Sequence, residues 1–184
     1  MRYPDGHKEA VHQRILETAS EALRSRGLAG VSIPGLMKSV GLTHGGFYAH
    51  FEDRDDLVAQ AVRAAGAATA AGAFGDSLTL KETLSRYLSK AHVEHPGEGC
   101  VVAALGTDGT RQAPRVRGAF AEVARGLIRL VQAKLERKTS GRAPSDEALR
   151  LASTMVGAVV LARLVDDEAL GERILRSARA SASE

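Results

Sequence analysis

The 184-residue chain has no tryptophan, only three tyrosines and four phenylalanines, and a single cysteine. With aromatic residues at 4%, its core must be built from Leu, Val and Ala, a mixture that favours helix over sheet. The lone Cys100 excludes an intrachain disulfide and fits a reducing compartment. No long apolar run is present either. The most apolar stretch, Leu151 to Leu161, is bracketed by Arg150 and Arg163 and is shorter than the ~18 residues of a membrane span. The N-terminal MRYPDGHKEAVHQ lacks the apolar stretch of a secretory signal. These absences lead us to expect a soluble, cytoplasmic, all-α protein without a membrane partner. Gly-rich phosphate loops, nucleophile elbows and metal-ligand spacings are missing as well, so we expect neither an enzyme nor a cofactor.

A strong excess of one charge is also lacking. The formal net charge is +3, a mild hint of an acidic partner. Residues 1–60 nevertheless hold seven Lys/Arg against eight Asp/Glu, so the positive balance lies further along the chain. Any nucleic-acid reading of the N-terminal segment must therefore rest on local pattern.

That pattern is clear. Val11, Ile15, Ala19, Ala22 and Leu23 recur at helical spacing, and Gly27 and Gly30 end the run. Ser32 precedes Ile33-Pro34 as an N-cap followed by a first-turn proline, and a short helix over 33–40 stops at Gly41. Thr43 caps a further helix over roughly 43–51, with Phe47 and Phe51 on one face, and Asp53 caps another from Arg54 onward. Two short helices joined by a tight glycine turn form a helix-turn-helix, whose second helix enters the DNA major groove. Thr43 stands where a hydroxyl and free N–H groups hold a phosphate. His44 and Tyr48 share a face, and Gly45, Gly46 and Ala49 allow the backbone close to base edges. His50 and Arg54 are placed to reach phosphates. A purely structural turn has little use for an exposed tyrosine between two histidines, although short amphipathic helices occur in any helical protein.

The alanine-glycine tract Ala64–Phe74 reads either as the thin far end of the helix from Arg54 or as a flexible linker. Beyond it, Leu78–Val93 reads as a helix, His95–Gly99 as a loop, Cys100–Leu105 as a helix start and 114–137 as one long helix. KTSGRAPS (138–145) reads as a loop whose Ser145 caps the next helix. Residues 148–165 are apolar nearly all round, so a second covering face is needed; a symmetry mate supplies it most simply, through helices near 145–165 and 168–180.

The run Val31–Leu57, VSIPGLMKSVGLTHGGFYAHFEDRDDL, resembles the signature of TetR-type (TetR/AcrR) transcriptional regulators. It carries the Val31-Ser32 start, the Val40-Gly41-Leu42 turn, the Phe47-Tyr48-Ala49-His50-Phe51 run and the charged close Arg54-Asp55-Asp56-Leu57. The resemblance implies about nine helices, with a DNA-binding domain over 8–62 and a ligand-binding and dimerisation domain over 63–184. It implies phosphate contacts from Ser32, Thr43, Tyr48, His50 and Arg54, and base-facing positions at His44, Gly45 and Gly46. The partners implied are double-stranded operator DNA and a small-molecule effector. Family members often carry Lys or Arg among the base-facing positions; glycines here point towards shape readout.

For the effector site the candidates are Tyr87, His92, Cys100, Thr107, Phe120 and Met155. Cys100 follows Gly99 at a helix start, where the dipole favours thiolate and a thiol or redox sensor is conceivable; a buried small hydrophobe is the plainer reading. His92, His95 and Cys100 lack a fourth ligand of recognisable spacing, so no metal site is expected. The rivals to a repressor released from its operator by a small molecule are this redox sensor, a helical adaptor without DNA affinity, and an enzyme.

Overall fold

The structure is a computed structural model and describes residues 6–136 and 143–181. Among the described residues all regular structure is helical. The chain runs through α1 (His7–Arg26), α2 (Ile33–Ser39), a 3-10 helix (His44–Ala49), α3 (Arg54–Gly72), α4 (Leu80–Tyr87), α5 (Lys90–Glu94), α6 (Val101–Gly109), α7 (Pro114–Glu136), α8 (Asp146–Leu164) and α9 (Glu168–Ala180). The ten helices are close to the nine expected. Most of the 138–145 loop lies outside the described residues, but Ser145 caps α8, accepting a hydrogen bond from the Ala148 N–H.

Local chemistry sets the element ends. Gly27 follows α1 with φ +77° and Gly41 follows α2 with φ +74°, a backbone region open chiefly to glycine. Ser32, Thr43 and Asp53 each accept a bond from the N–H three residues on, as their sequence positions suggest. The alanine-glycine tract is helix, the far half of α3, rather than a linker. Leu78–Val93 is not one helix. It breaks after Tyr87, because Ser89 takes an extended conformation and caps α5 by accepting from the His92 N–H at 3.1 Å. Thr79 and Glu82 start α4 with a reciprocal capping box.

Two apolar clusters form the interior. The first gathers Ile15, Ala19, Met37, Phe47, Phe51 and Val58 from the N-terminal elements and joins them to Val101, Leu105, Val116 and Phe120 of α6 and α7. The second is built on Leu84, Tyr87, Leu88, Val131, Met155 and Val159. Helix α3 runs through positions 62 and 63 without interruption, and its Val62 and Ala65 both lie in the first cluster. Helices α3 and α7 approach closely at Gly66, where a Cβ would stand 2.8 Å from a Val123 methyl. Arg63 and Glu122 pair across the same seam at 2.7 Å. A face of α8 and α9 is left uncovered, with Leu149, Leu161, Leu164 and Leu170 exposed.

Candidate nucleic-acid interface and effector cavity

The N-terminal elements present one exposed reading segment on a buried base. Phe47 is fully buried and stacks on Phe51 at 5.3 Å, fixing the 3-10 helix to the core. The residues between face outward. Tyr48 is 63% exposed, and the exposed His44 ring meets it edge-on at 6.0 Å. A Cβ added to Gly45 would touch nothing, so that stretch of backbone is open to solvent. Thr43 and Ser32 are exposed at the starts of their helices. Sequence reasoning expects a helix over 43–51, whereas the segment is a six-residue 3-10 helix. The adjacent glycines account for this: each costs about 1 kcal/mol in an α-helix relative to alanine, and a short 3-10 turn fixes fewer residues.

His50 and Arg54 stand differently from their neighbours. The His50 ring lies between α1 and the core, 5.9 Å from His12 and 6.4 Å from Phe51, and its Nδ1 is buried with no partner. Burial first, then the nearby His12 and Lys8, push its pKa down, so its surroundings resist the positive charge that a phosphate contact would use. Arg54 donates from Nη2 to the Leu28 carbonyl and ties the start of α3 to the loop after α1. Its remaining guanidinium donors leave a phosphate contact open.

Several links join this unit to the remaining helices. Arg115 at the start of α7 bonds Glu52 at 2.7 Å and lies within 3.8 Å of Asp53 and 3.7 Å of Asp56. Arg24 of α1 donates to the Gly99 carbonyl at 2.7 Å. A Cβ on Gly97 would sit 2.4 Å from the Ser25 hydroxyl, so the 95–99 loop lies directly against α1. No spacing rule in the sequence marks Arg24 or Arg115 as linking residues.

Two cavities meet at Cys100. One, of about 480 Å³, opens between α3 and α7 and is mostly apolar, with Arg63, Glu122 and Arg129 among its lining residues. The other, of about 250 Å³, lies between α3, α4 and the 95–100 loop and includes Tyr87 and His92. Thr69 and Cys100 line both. Tyr87, His92 and Cys100 are thus brought together, whereas Thr107, Phe120 and Met155 line neither cavity. Thr107 is exposed on α6, Phe120 packs beneath Gly109 and Met155 is buried in the second cluster. Arg163, which no sequence motif singles out, lies behind this group: its Nε and Nη2 donate to the carbonyls of Val93 and His92 at 3.2 and 2.6 Å.

The His92 ring is held at both nitrogens. Its Nε2 accepts from the Cys100 N–H at 2.9 Å, so Nδ1 carries the proton and donates to the Tyr87 carbonyl at 2.6 Å. Burial pushes its pKa down, consistent with the neutral ring this pattern needs. The Nε2 lone pair is thereby occupied, and among the described residues no group of three or more His, Cys, Asp or Glu is placed to hold a metal ion. No helix of the described residues is long and apolar enough to cross a membrane.

An N-capped reading segment exposed behind a glycine turn, on a base formed by α1 and α2, defines a helix-turn-helix nucleic-acid-binding module. Residues 15–61 match the family model of the bacterial regulatory proteins, tetR family, so this module is of the TetR type. The likeness in fold extends over the chain. A TetR-family transcriptional regulator from Agrobacterium tumefaciens superposes with a TM-score of 0.75 at 22% identity, covering 95% of this chain and 98% of that one. The reduced form of E. coli NemR gives 0.74 at 20% identity, covering 94% and 95%. AibR, solved in complex with isovaleryl coenzyme A and operator DNA, gives 0.61 at 14% identity, covering 93% and 97%. No curated protein matches the chain by sequence.

Proposed function

We propose that this chain is a cytoplasmic, homodimeric transcriptional regulator that represses from an operator and is released by a small molecule. The observation that carries the reading is the exposed 3-10 segment, in which Thr43, His44, Gly45, Gly46 and Tyr48 face solvent or stand at its rim while Phe47 anchors it. Ser32, Thr43, Tyr48 and Arg54 hold phosphates, with His50 a weaker contributor because of its burial. The glycine backbone approaches the bases. The AibR complex with operator DNA and an acyl-coenzyme A supports a fold of this kind serving both partners.

The effector occupies the cavities that meet at Cys100. Arg24, Gly97 and Arg115 carry its effect to the reading heads, whose half-sites would lie about 34–36 Å apart on DNA. Release requires that the effector bind one dimer geometry better than the other; tight binding alone is insufficient. Selection of bound fragments from a genomic library tests the reading. Recovery of a discrete sequence, with binding that weakens at high salt, is expected. An absence of salt-dependent binding favours an adaptor instead.

Cys100 supports a second reading, a thiol sensor, because its side chain lines both cavities while being only 3% exposed. Cys100→Ser should then abolish release of operator by thiol-reactive compounds. Undiminished release in that variant rules this reading out.

A further inference from the structure

The larger of the two cavities is set apart by what its wall does not offer. Past the close contact at Gly66, Ala70 of α3 and Gly126 and Ala133 of α7 have too little side chain to fill the gap between the helices, which leaves about 480 Å³. Leu127 and Cys100 line it as buried residues, beside Val123 and Leu130. The polar groups of this wall are already used. The Thr69 hydroxyl donates to the Ala65 carbonyl at 3.0 Å. The Cys100 N–H donates to His92, and its carbonyl accepts from the Ala104 N–H. The thiol that remains is a weak donor and a weak acceptor. Buried side-chain nitrogens and oxygens without a partner, among the described residues, belong to His50, Thr83, Tyr87 and Arg163, none of which lines this cavity. Charge is confined to its exposed rim. There Arg63 and Glu122 neutralise one another at 2.7 Å, and Arg129, which forms no ion pair among the described residues, lies open to water. The smaller cavity differs, since Arg86, His92, His95 and Glu98 are among its lining residues.

We propose that the effector is a compact, uncharged apolar molecule, such as a fused-ring hydrocarbon or an uncharged derivative of one, enclosed between α3 and α7. This deepens the regulator reading and rests on it for the word effector, although the selectivity of the cavity is measured without DNA. Burial of apolar surface against Leu127, Val123 and Leu130 drives the binding. Ionised molecules are rejected, because a charge carried inside loses its water and meets no partner in the wall. A cation is disfavoured at the rim as well, where the one carboxylate, Glu122, is held by Arg63. The volume lies in the range that holds small-molecule ligands.

The test uses the full chain and three probes of one shape: naphthalene, its carboxylate 1-naphthoate and the cation 1-naphthylmethylammonium. Binding is read by equilibrium dialysis and naphthalene fluorescence, against which a chain without tryptophan gives little background. Naphthalene should bind roughly tenfold or more tightly than either ion at about pH 7.5. Ala70→Leu and Ala133→Leu, one on each helix, should each weaken naphthalene by roughly tenfold by occupying its space. Either variant suffices if the other fails to fold. Arg129→Gln should leave the order of the three probes unchanged. Absence of naphthalene binding overturns the proposal, as does wild-type naphthalene affinity in a folded filling variant. Naphthoate or the ammonium probe binding as tightly as naphthalene overturns it too, and a naphthoate affinity lost in Arg129→Gln assigns an acid held at the rim instead. Operator binding of the unliganded wild type, measured separately, decides the regulator reading without reference to these outcomes.

Discussion

At the scale of single residues, Tyr48 is the sharpest probe of the reading segment, because among the described residues it is the most exposed aromatic side chain and contributes little to the core. Tyr48→Ala should lower affinity for all DNA sequences by roughly tenfold through a lost phosphate contact, with thermal unfolding unchanged. Operator affinity equal to wild type in a gel-shift titration contradicts the assignment. His92 gives a different prediction, about stability. Its folded pKa is pushed below the ordinary value of about 6.5, so as pH falls the unfolded chain takes up the proton first. The contribution is fully present above about pH 6.5 and is lost as pH drops towards the folded value, where protonation breaks the bond from the Cys100 N–H. His50 adds in the same direction. Urea midpoints should fall on going from about pH 7.5 to 5.5, and His92→Gln should flatten part of that slope. Glu82 and Glu168, both pushed down from about 4.5, enter only at lower pH.

At the scale of elements, helix starts were the most legible feature, since a cap acts over three residues. Ser32, Thr43, Asp53 and Ser145 all cap as their positions suggest, and α9 occupies the stretch that its pattern marks. The break between α4 and α5 was not legible from apolar spacing, which continues through Leu88 and Val93 while the backbone turns at Ser89. The Thr79–Glu82 box is the local signal that fixes where α4 begins, and Thr79→Ala should cost about 1 kcal/mol in unfolding free energy. Contacts between distant segments left no local trace. Gly66 reads in sequence as a point of bending or close packing, but nothing local names its partner, which is Val123 of α7. Gly66→Ala would ordinarily gain about 1 kcal/mol in helix propensity. Here the added methyl meets the stiff, branched Val123 side chain, and the net effect should be a loss of about 1–2 kcal/mol. A raised melting temperature for this variant overturns the account of the α3–α7 seam.

At the scale of the whole molecule, the candidate site divides into parts that the sequence carries with unequal clarity. The reading segment is contiguous, so THGGFYAH displays it directly. The cavities proposed for the effector are assembled from α3, α4, the 95–100 loop and α7, and only Tyr87, His92 and Cys100 of the expected residues come together there. Assembly of the proposed dimer belongs to this same scale. Helix α8 buries Leu151, Met155 and Val159 inward, and Leu149, Leu161 and Leu164 stay exposed on the same helix beside Leu170 of α9. Leu164 is 75% and Leu161 54% exposed, and burying such a side chain is worth roughly 1.5–3 kcal/mol. A groove bordered by Gly157, Ala158 and Leu161 on α8 and by Leu170 and Ile174 on α9 gives a partner's side chains somewhere to enter. In an isologous pair every exposed leucine on this face counts twice, so one substitution removes two contacts. Leu161→Glu should therefore shift the protein from dimer to monomer in sedimentation equilibrium without melting the fold, because the side chain lies outside both apolar clusters. Operator affinity should fall with it, since a single reading head engages one half-site with fewer phosphate contacts and a shallower salt dependence. A Leu161→Glu protein that remains dimeric places the interface elsewhere. One that is monomeric yet binds operator as tightly as wild type removes the need for symmetry in recognition.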